Sequence, residues 1–238
     1  MAPLATTDHT PTLADWLTAL GTISTAALAL LLATRDQLSR WIFQPRLRLN
    51  IKQDSPDCTT IEAKGFKQNS LGVVVPFQET QFYCRFAVDN EGRRRANDVA
   101  VRLIRLWRKE NTTWVEDTSF FPLFLKWSHV GVTVTPALDP RLPRHCDFCH
   151  CTENEYDRFH LETEVEPYEV APGVFPTIKP PGTYRFHAAV AASNATAQYA
   201  IVELTFDGVW SDDAIEMATK HLVPNVLKQG GKPYDKPD

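Results

Sequence analysis

Two hydrophobic periodicities divide the chain. Residues 16–34, WLTALGTISTAALALLLAT, run without a charge from Asp15 to Arg35. As a helix these nineteen residues rise about 28 Å at about 1.5 Å each, close to the roughly 30 Å hydrocarbon core of a bilayer. Gly21, Ser24 and four threonines keep the segment only moderately apolar, so a buried helix of a soluble domain is the competing reading. Trp16 and Trp41 flank the run, where aromatic side chains mark membrane interfaces. The pattern predicts a transmembrane helix over 16–34, with a tail over 1–15 and a juxtamembrane segment over 35–45. A cleaved signal peptide fits less well. Residues 1–15 hold no Lys or Arg, and the run exceeds a usual signal-peptide core.

After Pro45, which ends the helical continuation, the period falls to two. RLRLNIK puts Leu47, Leu49 and Ile51 on one face, the mark of a half-buried strand. QFYCRFAVD puts Phe82, Cys84, Phe86 and Val88 on one face. NEGRRRAND reads as a turn-rich connection. VAVRLIRLWR follows as a strand whose alternation slips near Ile104, as at a β-bulge. Further strands are predicted at TWVED, FLKWS, RFHLETEV, TYRFHAAVAA and YAIVELTFDG. Ser211 is the expected cap of a short helix over DDAIEMATKHL, stopped by Pro224. Many short strands with little helix between them predict a mainly β sandwich over 46–222, and residues 223–238 are expected as a flexible tail.

Two stretches carry a resemblance. FAVDNEGRRRANDVAVRL resembles the strand, Asn-x-Gly turn and strand of immunoglobulin-like adhesion and scaffold domains. KPPGTYRFHAAVAASNA is similar to the late strands of the same folds. Together they span 35 of the 238 residues. The resemblance implies an immunoglobulin-like β-sandwich, and the whole layout is similar to bacterial single-pass membrane-anchored proteins. It implies fold rather than activity.

Composition adds little beyond this. A content of 43% hydrophobic and 23% charged residues is ordinary for a folded chain. Seventeen prolines against ten glycines suit a loop-rich β protein. A net charge of −4 gives no reason to expect nucleic acid as a partner. The distribution of charge says more. Arg35, Arg40, Arg46, Arg48 and Lys52 follow the apolar run, whereas Asp8 and Asp15 precede it. The positive-inside rule then places the N-terminus outside and the large C-terminal part in the cytoplasm, at the inner membrane. The sequons at Asn111 and Asn194 would not meet the glycosylation machinery there.

The densest chemistry is RHCDFCHC over 144–151. His145, Cys146, Cys149 and Cys151 are the candidate ligands for zinc, which favours four N or S donors. The spacing lacks a second separated pair, since Cys58 and Cys84 stand apart. The competing reading is a strand with Cys146, Phe148 and His150 on one face and Asp147, Cys149 and Cys151 on the other, cysteine acting as a small hydrophobe. No cofactor is therefore expected, with zinc the alternative. Thioredoxin-type chemistry would place Cys-x-x-Cys at a helix start. Disulfides are not expected in a cytoplasmic domain. Arg93, Arg94 and Arg95 form a candidate lipid or partner contact, weighed against a solvated hairpin tip. FFPLFLKW is read as core or as a partner patch. Glu162, Glu164 and Glu166 are expected on a solvent face. Gly21, Thr25, Ala29 and Ala33 recur every four residues and form a small-residue stripe for a helix–helix contact.

No phosphate loop, nucleophile elbow, zinc-protease or dinucleotide motif is present, so an enzyme is not expected. The leading expectation is a membrane-anchored cytoplasmic binding or scaffold module with an unknown protein or small-molecule partner. The first alternative is a ligand-sensing effector that forms a homo-oligomer through its membrane helix. The second is a zinc-binding or redox protein built on residues 145–151.

Overall fold

The computed structural model describes residues 12–68, 72–165 and 177–230. The chain divides into two compact units, 1–44 and 45–238. The first holds α1 (Leu13–Phe43). Its start is a reciprocal cap. Thr12 N donates to the Asp15 carboxylate at 2.8 Å, and Thr12 Oγ1 accepts from Asp15 N. The helix runs past residue 34 because nothing in RDQLSRWIF breaks it; Pro45, which cannot continue a helix, follows its end.

The second unit is mainly β, and strands make up 53% of the chain. Among the described residues thirteen strands follow in order: β1 (Leu47–Asn50), β2 (Cys58–Gln68), β3 (Val74–Asn90), β4 (Ala96–Glu110), β5 (Thr113–Glu116), β6 (Leu123–Phe124), β7 (Val134–Leu138), β8 (Arg144–Thr152), β9 (Phe159–Leu161), β10 (Ile178–Lys179), β11 (Gly182–Ala192), β12 (Ala195–Phe206) and β13 (Leu222–Gln229). They form two antiparallel sheets. One runs β3–β8–β9–β10, with β1 and β2 end to end along the other side of β3. The second runs β13–β12–β11–β4, with β5, β6 and β7 all paired to β4.

The sheets share one apolar core. Phe148 of the first meets Phe186 of the second edge-on at 5.1 Å, and Phe159 meets Phe206 edge-on at 5.7 Å. Leu47 and Leu49 of β1, and Phe82, Cys84, Phe86 and Val88 of β3, are buried on the predicted faces. The predicted slip in β4 is a bulge. Arg105 lies opposite His187 and Leu103 opposite Ala188, which leaves Ile104 over.

A second bulge in β8 corrects the expected faces. Cys84 lies opposite Cys149 and Arg85 opposite Asp147, so Phe148 has no partner on β3. One extra residue reverses the alternation beyond it. Cys146 and Phe148 face the core, and so do Cys149 and Cys151, all of them fully buried. His150 moves to the other face with Asp147. The chain's end also differs from expectation. Asp213, not Ser211, caps α2 (Ala214–Glu216), through bonds from Ile215 N and Glu216 N. A π-turn over Met217–His221 follows. Pro224 sits within β13, opposite Leu204, so residues 223–229 extend the second sheet rather than form a tail.

The burial of Cys149 sets an expected outcome. Cys149→Ser places a hydroxyl among apolar side chains and should lower stability by about 1–3 kcal/mol. A thermal or denaturant unfolding midpoint unchanged from wild type would put Cys149 on a solvent face.

Candidate functional site

The β8 segment shows where the proposed zinc ligands go. His145 Nε2 lies 3.0 Å from Asp57 Oδ1 on the outer face, and Asp57 also accepts from Lys52 N at 2.8 Å. The thiols of Cys146, Cys149 and Cys151 face the core instead. The four candidates thus split between two faces of one strand. Among the described residues no group of three or more His, Cys, Asp or Glu side chains is arranged to hold a metal ion. The sequence missed a different grouping: Cys58, Cys84 and Cys149 lie opposite one another across β2, β3 and β8, with Cys58 Sγ 3.9 Å from Cys84 Sγ. All five cysteines are free and buried. Burial pushes the Cys84, Cys146 and Cys149 thiols up, and Cys151 to about 12. A hydrogen bond with Cys84, then burial, raises Cys58 further. Burial thus disfavours the thiolate form, the reactive one, at each of the five.

On the outer face the reversed alternation builds a row of rings. His150 stacks on Tyr83 at 5.1 Å and 25°, and on His160 at 5.0 Å and 12°. The Arg85 guanidinium lies 5.2 Å from the Tyr83 ring centre. Carboxylates border this row. Glu162 Oε1 is 2.5 Å from His150 Nδ1, and Glu155 Oε2 is 3.5 Å from His160 Nε2. Asp147 accepts from Arg85 Nε at 2.9 Å and from Ser128 Oγ at 2.6 Å. Burial pushes the Glu162 carboxyl up, but the hydrogen bond and charge of His150, with the nearby Lys126, carry it below its ordinary value. Burial and then His150 hold His160 below its own. Burial and then Glu162 push the Tyr83 phenol up. Glu162 therefore belongs to a half-buried network rather than to the expected solvent face. Glu164 is exposed, and Glu166 lies outside the described residues.

A concave site lies elsewhere. A cleft of about 340 Å³ opens where β4 and β5 meet β10, with Arg108, Glu116, Asp117, Lys179 and Tyr184 in its walls. Both sheets contribute to it. Lys179 Nζ is 3.0 Å from Asp117 Oδ2, and Tyr184 Oη donates to Pro180 O at 2.7 Å. Burial raises the Asp117 carboxyl, but hydrogen bonds from Ser119 and Lys179 bring it net below its ordinary value. Fixed charges of both signs beside one aromatic ring suit a small polar ligand. Lys179 and Asp117 stand 62 positions apart, so no local motif announces them.

The remaining candidates are dispersed. Arg93, Arg94 and Arg95 are exposed on the turn after β3, and Arg95 pairs with Asp139 at 3.2 Å. In FFPLFLKW, Leu123, Leu125 and Trp127 are buried, which is the core reading. Gly21, Thr25, Ala29 and Ala33 are exposed along α1. The chain matches no protein-family model, no curated protein and no solved structure in comparisons with each.

The ring row should make stability pH-dependent. In the unfolded chain His160 titrates near 6.5 and Glu162 near 4.5; in the folded protein both titrate lower. Where the unfolded chain binds more protons, stability rises with pH. The His160 contribution is complete above 6.5 and erodes below it, and the Glu162 contribution erodes below 4.5. The melting temperature should therefore fall on acidification from about pH 7 to about pH 5, and His160→Phe should flatten that slope. An identical slope in wild type and His160→Phe would remove His160 from the account.

Proposed function

We propose that the protein is a membrane-anchored cytoplasmic binding or scaffold module. In this reading α1 crosses the inner membrane with its N-terminus outside, and an immunoglobulin-like β-sandwich presents the cleft at β4, β5 and β10. One observation carries the anchoring. All five hydroxyls between residues 16 and 34 donate to a carbonyl of the preceding turn: Thr18 to Ala14, Thr22 to Thr18, Ser24 to Leu20, Thr25 to Gly21 and Thr34 to Leu30, at 2.7–2.9 Å. The sequence reads these residues as a dilution of apolar character. Folded back on the helix, they leave no hydroxyl that needs water, and an unsatisfied polar group in hydrocarbon costs several kcal/mol. Along the same helix Leu17, Leu20, Ile23, Leu28 and Leu30 are exposed, and Leu13–Arg35 is long and apolar enough to cross a bilayer.

Two features support the sandwich assignment. The two antiparallel sheets enclose one core. The Asn-x-Gly turn after β3 is held by Asn90, whose buried amide accepts from Gly92 N and donates to Arg94 O. The orientation rests on the basic residues that follow the helix.

Alkaline carbonate should leave the protein in the membrane pellet. In sealed cells an impermeant protease should remove an N-terminal epitope and spare the C-terminal unit until the membrane is permeabilised. Release by carbonate would overturn the anchor, and digestion of the C-terminal unit in sealed cells would overturn the orientation. A large detergent-stable oligomer that Gly21→Leu dissociates would instead favour the oligomerising effector.

A further inference from the structure

β2 is an edge strand whose outer side pairs with no other described strand. Its hydrogen-bonding phase follows from two contacts. Arg85 N donates to Asp57 O at 2.7 Å, whereas Cys58 N turns back to Asp54 O. Cys58 and Cys84 are therefore a non-hydrogen-bonded pair, and the antiparallel ladder alternates from there. Ile61, Ala63 and Gly65 direct their N–H and C=O groups at β3, and Glu62 and Lys64 direct theirs outward. Pro76 agrees with this phase. It lies opposite Phe66, a non-bonded position where a missing N–H costs no ladder bond.

The same stretch is short of support. β8 pairs with β3 only from Gln81 to Val88. Beyond it, Glu62–Gln68 and Val74–Thr80 continue as a two-stranded ribbon, an arrangement of marginal stability in water that a third strand would reinforce. α2 packs beside β2, and the exposed run of the strand begins at Ile61, with Glu62 and Lys64 also exposed.

Charge selects the occupant. Glu62 Oε2 and Lys64 Nζ pair within the strand at 3.1 Å, both well exposed. Suppose a second copy pairs antiparallel on this edge about a two-fold axis. The phase admits three registers centred here. Two set like residues opposite each other, Glu62 on Glu62 or Lys64 on Lys64, which is unfavourable. The third, with Ala63 on the axis, sets each Glu62 opposite Lys64 of the other copy. Two such pairs form, each exchanging both main-chain hydrogen bonds. We infer that the Glu62–Lys64 edge of β2 is a self-association edge, on which two copies pair antiparallel in the register centred on Ala63.

The test uses the full-length chain in detergent micelles. In the inferred register the two Ala63 Cα atoms stand about 4.5 Å apart, within disulfide reach. Under mild copper-phenanthroline oxidation Ala63→Cys should give a disulfide-linked dimer on a non-reducing gel. Wild type, whose cysteines are buried, should not, and Glu62→Cys and Lys64→Cys should give far less. Adding Glu62→Lys or Lys64→Glu to Ala63→Cys should reduce the crosslink to background. Adding both reversals together should restore it. No dimer from Ala63→Cys overturns the inference, as does a stronger crosslink at position 62 or 64, or indifference to the single reversals. The membrane-anchor reading stands or falls separately, by carbonate extraction.

Discussion

Phe148 has no partner on β3, and both faces of the first sheet depend on that vacancy in the ladder. Its ring lies 4.7 Å from Phe86 and 5.1 Å from Phe186, so it joins the two sheets near their centre. With Phe148 as the extra residue, Cys149 and Cys151 turn into the core, and His150 turns out between Tyr83 and His160. A regular strand would instead bury His150 and expose two thiols. The bulge thus converts a sequence rich in metal-binding residue types into apolar packing on one side and a titratable ring row on the other.

A second constraint holds the connections. The buried Asn90 side chain accepts from Arg46 N and Gly92 N, and donates to Arg94 O and Leu138 O. One amide therefore fixes the entry of the chain into β1, the arginine-bearing turn and the end of β7. Each main-chain group it satisfies would cost about 1–3 kcal/mol if left buried without a partner. The Asn-x-Gly pattern is thus a statement about the joint between the sheets. The arginines beside it are displayed by that joint rather than responsible for it.

The two units solve opposite solvation problems. Between residues 16 and 34 α1 turns its hydroxyls back onto its own backbone and leaves its leucines exposed. The two-sheet unit does the reverse, with aromatic rings inside and ion pairs such as Arg48–Glu91 outside. Within that unit the chain enters at the Asn90 end of β3, since Leu47 lies opposite Asn90. The β2–β3 ribbon projects from the other end of the same strand.

Some of this was legible in the sequence, and the reason is locality. The uncharged run over 16–34 and the alternation of β1 and β3 depend on consecutive residues, so their pattern is complete within each segment. The bulge at Ile104 was legible for the same reason, because leucine and arginine differ enough in polarity for the slip to show. At Phe148 the neighbours are cysteine and histidine, which suit either face, so the same slip leaves no trace. The run of cysteines across three strands, the stack of Tyr83, His150 and His160, and the cleft ion pair of Lys179 with Asp117 join residues far apart in the chain. So does the outward phase of Glu62 and Lys64. Residue order determined which segments are apolar and with what period. Cross-strand register, which depends on how distant strands meet, decided which thiols are buried, which rings stack and which edge is left open.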